Sequence, residues 1–168
     1  MITIMSRKIF FLLAAVMVNA LLPAHAQNDS ARTQLEALAH SIGSEGISSV
    51  EIFGVPEDAL FAVNISPESL EKAWDYKLTF RSPGALQTRT RALEAAMRLA
   101  NPQASAKKVQ FLDVRTGVVF YSRAESGKGI FSIYFDKTGR AGAVGGASVS
   151  FGPEFLPNLK KALHFSIE

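Results

Sequence analysis

The sequence predicts an α+β fold: a mainly antiparallel sheet with a C-terminal β-meander, packed against two to four helices. Three observations carry that expectation. Several apolar runs alternate with a period of two, the mark of half-buried strands. After residue 109 such runs follow one another across tight turns, leaving no length for the crossover helices that parallel strands need. Segments with helical spacing are inserted or appended singly instead of recurring between every pair of strands.

Leu35, Leu38, Ala39 and Ile42 stand at i, i+3, i+4 and i+7, which predicts an amphipathic helix over residues 27–44 that stops near Gly43. A strand follows, in which Val50 and Ile52 alternate with Glu51 and Phe53 until Gly54 and Pro56 end it. Residues 60–65 read as a further extended piece. Ser66 is a good N-cap with Pro67 at the first helical position and Glu68 beside it, so a short helix runs to about Trp74. Residues 75–81 alternate again, with Tyr76, Leu78 and Phe80 on one face and Lys77, Thr79 and Arg81 on the other. Ser82 and Pro83 repeat the cap-and-proline start for a helix whose apolar face holds Leu86, Leu93, Ala96, Met97 and Ala100; Asn101 and Pro102 end it.

The C-terminal half reads as strands over 109–114, 118–123, 129–135, 140–144 and 147–151. Arg115-Thr116-Gly117, Ser126-Gly127, Asp136-Lys137-Thr138-Gly139 and Gly145-Gly146 supply the turn chemistry between them. Phe111, Val119 or Phe120, Ile133 and Phe135 are the expected core of this meander. Pro153 opens a last helix that turns Phe155, Leu156, Leu159 and Leu163 to the sheet.

Arg7 and Lys8 precede an apolar stretch from Ile9 to Leu22, and Pro23 leads into Ala24-His25-Ala26. A basic start, a short apolar helix, a breaker and small residues at −3 and −1 predict a bacterial secretory signal peptide, residues 1–26, cleaved before Gln27. Residues 27–168 are then a single α+β domain, periplasmic or secreted, with no stable membrane span after cleavage. The chain has no Cys, which excludes disulfides, thiolate metal ligands and a cysteine nucleophile. Residues 27–80 hold nine acids and three bases, and residues 81–168 hold thirteen bases and six acids. The halves compensate each other, and without clustered Lys and Arg interleaved with aromatics nucleic acid is not an expected partner.

Catalytic constellations are scarce. His40 and His164 lack a second His at ligand spacing, so the His-Glu-x-x-His pattern is absent and no metal or cofactor is expected. No Gly-x-Ser-x-Gly elbow is present. Ser126-Gly127-Lys128-Gly129 lacks the earlier glycine and the following helix of a phosphate loop. The glycines at 139, 142, 145 and 146 fit turns, not a dinucleotide fingerprint. Glu57, Asp58, Glu68, Glu71 and Asp75 are the acids from which a carboxylate-based hydrolase would draw, yet each also suits a helix start or a turn, as do Asp113 and Asp136.

Small size and missing catalytic motifs lead to the expectation of a non-catalytic exported domain that binds a partner protein of the envelope, as an inhibitor or immunity protein would. Tyr121 and Tyr134 fall on the polar face of adjacent strands with Arg123 and Arg140 nearby in sequence, and Tyr and Arg are the residue types enriched at binding hot spots. Trp74 reads as a core residue. The alternative is a periplasmic small-ligand carrier, with a pocket where helices cover the sheet incompletely; a hydrolase ranks third.

Overall fold

The computed structural model describes residues 24–44, 46–56, 58–82, 84, 86–105, 107–124 and 129–164. The predicted leader up to residue 23, Glu57, Pro83 and the Ser126-Gly127 turn lie outside the described residues. Helix α1 spans Ala24–Gly43, so the described residues include three on the leader side of the expected cleavage point. Its described core residues run from Ala31 onward, beyond that point. Strand β1 (Ile47–Gly54), helix α2 (Pro67–Lys72), strand β2 (Tyr76–Arg81) and helix α3 (Thr90–Arg98) follow, and a single 3₁₀ turn at Gln87–Arg89 leads into α3. Then come β3 (Gln103–Ala104), β4 (Val114–Ser122), β5 (Gly129–Asp136), β6 (Ala141–Val144), β7 (Ala147–Ser150) and helix α4 (Phe155–Leu163).

The strands form one antiparallel sheet in the order β2-β1-β4-β5-β6-β7-β3. The fold is therefore α+β with a C-terminal meander. Val50 and Ile52, Val118 and Phe120, Ile133 and Phe135, Val144 and Val149 line its inner face, because alternate residues of paired strands share a side. Against them pack the apolar stripes of α1, α3 and α4, contributed by Leu35, Leu38 and Ile42, by Leu93 and Met97, and by Phe155, Leu159 and Leu163. Phe135, Phe151 and Phe155 meet with ring centroids 4.9–5.5 Å apart, within the range of favourable aromatic pairs.

Among the described helices, α2 is the one that lies over the outer face. It covers a smaller core of Phe53, Val55, Ile65, Leu70, Leu112, Val114, Tyr134 and Ala143. Its start is as expected: the Ser66 hydroxyl accepts from the Ser69 N–H at 3.2 Å, and Pro67 occupies the first turn. Six residues of helix cannot roof seven strands, so part of this face stays open.

Three sequence expectations change. Residues 60–65 form no strand; they belong to a loop held by side chains. The strand expected over 118–123 extends back through Arg115-Thr116-Gly117 as β4, which takes only Val114 from the strand expected over 109–114 and has a register shift between Val114 and Thr116. Gly117 serves a side-chain approach here, not a turn: a Cβ there would meet the Phe53 ring at 2.7 Å and the Tyr134 ring at 3.2 Å. Val109–Phe111 is a 3₁₀ turn, and Phe111 is exposed instead of contributing to the core.

The turns expected at Asp136–Gly139 and at Gly145-Gly146 agree with expectation. The Asp136 carboxylate accepts from the N–H groups of Thr138, Arg140 and Ala141, and Gly139 takes a φ of +67°. Gly145 and Gly146, at +52° and +84°, make the two-residue turn between β6 and β7; positive φ at both central positions is the type I′ pattern.

Candidate functional site

Three ranks of residues cross the open part of the outer face, as the register dictates. Arg81, Ser49, Tyr121 and Gly129 form one; Thr79, Glu51, Val119 and Ser132 the next; Lys77, Phe53, Gly117 and Tyr134 the third. Glu71 and Trp74, from α2 and the segment after it, stand at one side of this floor. At the other, β6 pairs with β5 only at Ile133–Phe135, so the first residues of β5 extend past it, and Gln34 of α1 and Gly145 complete the wall. The result is a trough of about 620 Å³. Four strands at about 4.8 Å spacing make it roughly 14 Å long.

Its polar groups are already joined to one another. The Tyr121 hydroxyl donates to Glu51 at 2.6 Å, and the Lys77 ammonium meets the same carboxylate oxygen at 2.9 Å. Burial alone would raise the Glu51 carboxyl, but the hydrogen bonds from Tyr121 and Lys77 outweigh it and hold the group below its ordinary value. Burial pushes Tyr121 up to about 12, helped by its bond to Glu51 and by the negative charges of Glu51 and Glu71. Tyr134 lies behind Glu71, is 6% exposed and donates its hydroxyl to that carboxylate; burial and the bond to Glu71 raise it further still. The Lys77 ammonium also sits 5.8 Å from the centroid of the Trp74 ring.

Of the four residues expected to bind a partner, the structure brings Tyr121 and Tyr134 together on this face. It separates the arginines. Arg123 follows β4 beside the start of β5, exposed, with a 2.9 Å bond to the Ser82 hydroxyl. Arg140 is exposed just past the other end of β5, roughly 25 Å along the sheet for an eight-residue strand. Among the candidate acids Glu71 enters the trough, whereas Asp58, Glu68 and Asp75 are exposed elsewhere and Asp113 pairs with Arg115 at 2.8 Å. Trp74 is 43% exposed at the trough edge, not in the core.

Glu51, Lys77, Gln34 and Ser132 were not candidates from sequence. Alternation assigns Glu51 and Lys77 to the outward faces of their strands, but only the order β2-β1-β4-β5 makes those faces one floor. Among the described residues no three His, Asp or Glu side chains are grouped as a metal ion would require. No described helix is long and apolar enough to cross a membrane. Comparison with protein-family models, curated proteins and solved structures gives no match for this chain.

Proposed function

We propose that the protein is an exported, non-catalytic carrier or sensor that binds a small polar ligand in the trough on the outer face of its sheet. The carrying observation is the trough itself. Its 620 Å³ falls within the roughly 300–1,000 Å³ of small-molecule sites, and its floor combines aromatic and apolar side chains with a few convergent polar groups. The Tyr121–Glu51–Lys77 chain holds those groups in place before any ligand arrives, which lowers the ordering cost of binding. Binding is favoured over turnover because the shifted groups move away from neutrality, Glu51 downward and both tyrosines upward. The leader-like first 26 residues support a periplasmic or secreted setting.

Native mass spectrometry of the protein purified under mild conditions tests this reading. A small molecule should be retained by the wild type and lost in Val119→Trp, which fills the floor without touching the inner core. Retention of the same mass by the filled variant would overturn the assignment to the trough.

A protein partner is the second reading, favoured by a different surface. Leu60, Phe61 and Val63 are exposed, Leu60 at 98%, on a loop whose ends are fastened by Arg115 and Asp113, with exposed Phe111 beside it. Apolar side chains displayed on an anchored loop are suited to protein contact. In that case Leu60→Asp with Val63→Asp should abolish capture of a partner that Val119→Trp still captures. The reverse pattern would place the contact at the trough.

A further inference from the structure

The charge inventory of the trough narrows its ligand class. Glu51 has countercharges in Lys77, which it touches, and Arg81, which acts on it from the adjacent rank of the floor. Glu71 receives only the neutral Tyr134 hydroxyl, and among the described residues no Lys, Arg or His lies within ion-pair distance of it. Glu71 is therefore the carboxylate of the trough wall that has no cation within ion-pair distance. Both carboxylates act on Tyr121, so their fields overlap inside the trough instead of pointing away from each other.

Aromatic faces stand next to the uncompensated charge. Trp74 is three residues beyond Glu71 and half open to the trough, and a cation already rests 5.8 Å from its ring centroid in the form of Lys77. A ring quadrupole beside a carboxylate attracts organic ammonium groups through both charge and cation–π contact. Farther along, Val119, Ile130 and Phe131 line the same cavity and offer apolar surface. An anion would be repelled by the uncompensated Glu71 carboxylate, and a neutral polyol would leave that charge uncompensated.

We infer that the trough binds an organic ammonium compound with a short apolar body, its cationic head at Glu71 and Trp74 and its body over Val119, Ile130 and Phe131. This rests on the ligand-binding reading above and names the substrate class of the same site. Such a ligand would complete the electrostatics of the trough while its tail removes apolar surface from water.

Trp74 is the single tryptophan of the chain, so its emission reports occupancy directly. Three probes of one shape separate the possibilities: phenethylamine (cation), 2-phenylethanol (neutral) and phenylacetate (anion). Titrated into the full chain, phenethylamine should change Trp74 emission with saturation and bind at least about fivefold more tightly than the other two, the effect of roughly 1 kcal/mol. Glu71→Gln keeps an acceptor for the Tyr134 hydroxyl at a position of α2 that is itself exposed, so it should fold normally, as circular dichroism will confirm. In it the preference for phenethylamine should vanish while binding of 2-phenylethanol is unchanged. Equal binding of the three probes, tighter binding of phenylacetate, or an undiminished preference in Glu71→Gln would each overturn the ammonium assignment. None of these results would depend on the native mass spectrometry, which judges the trough independently. Absence of saturation with all three probes alongside a retained ligand of another class would also defeat the assignment and leave the trough standing.

Discussion

Arg115 and Asp113 stand two residues apart at the bulged start of β4, and between them they fasten both ends of the long loop from β1 to α2. The Arg115 guanidinium donates to the Ala59 carbonyl and to Asp113, each at 2.8 Å, while the other Asp113 oxygen accepts from the Ile65 N–H at 3.0 Å. The guanidinium also faces the Phe61 ring at 4.8 Å. This arginine is nearly buried, its side chain 8% exposed, and its Nε has no hydrogen-bond partner in the structure.

Arg115→Met should therefore destabilise the fold by about 1.5–3 kcal/mol, since it keeps the packing volume but removes hydrogen bonds made by a charged group. Urea denaturation measures the loss. Limited chymotrypsin digestion should at the same time cut at Leu60 or Phe61 faster than in the wild type. A variant of wild-type stability and wild-type cleavage rate would show that the loop holds without its clamp.

Stability should fall at both ends of the pH scale. Burial opposes ionisation of Asp113 and Glu51, but the bonds from the Ile65 N–H and Arg115, and from Tyr121 and Lys77, leave both carboxyls below their ordinary 3.8 and 4.5. Folding then binds fewer protons than the unfolded chain, so this contribution is complete above about pH 5 and is lost as the pH falls through the folded values. Tyr121 and Tyr134 behave oppositely. Burial and their carboxylate partners raise them above the ordinary 10.0, Tyr121 to about 12, so their contribution is complete below pH 10 and declines above it. Thermal melts of wild type, Asp113→Asn and Tyr134→Phe across the range should show a flatter acid limb in the first variant and a flatter alkaline limb in the second.

Gly117→Ala should destabilise by about 1–3 kcal/mol, the range for overpacking, because the new methyl would press on the Phe53 and Tyr134 rings. Chemical denaturation reads the stability, and the ultraviolet titration of Tyr134 reads its displacement from Glu71 as a lower phenol pKa. An Ala tolerated without either change would mean that the rings yield freely.

Ile133 and Phe111 make a matched pair of tests. Ile133 is fully buried on the inner face, and its replacement by Ala should remove about 2–5 kcal/mol. Phe111→Ala, on a residue 54% exposed, should change stability by less than about 0.5 kcal/mol. The same denaturation series measures both, and reversed magnitudes would reverse the assignment of faces.

Local chemistry made much of the fold legible in the sequence. Alternation assigned Ile133 and Phe135 to the inner face and Tyr121 and Tyr134 to the outer one, because the side-chain period of a strand is two wherever the strand lies. The helical spacing of Leu35, Leu38 and Ile42, the Ser66-Pro67 start and the Gly145-Gly146 turn are equally local, each set by the dihedral and hydrogen-bond preferences of a few neighbours.

What the tertiary structure alone decided is which outward faces meet. Glu51 and Tyr121 are 70 positions apart and Glu71 and Tyr134 are 63 apart, and they touch because β1 inserts between β2 and β4 while α2 folds back over the sheet. Gly117 carried the composition of a turn, and only the long-range approach of Phe53 turned it into a strand residue that admits two rings. Trp74 had the hydropathy of a core residue and stands at the trough edge because a six-residue helix leaves that side of the sheet uncovered. Sequence periodicity states which way a side chain points along its own strand; strand order and helix length settle what it points at, and both depend on pairings between distant segments that no local pattern encodes.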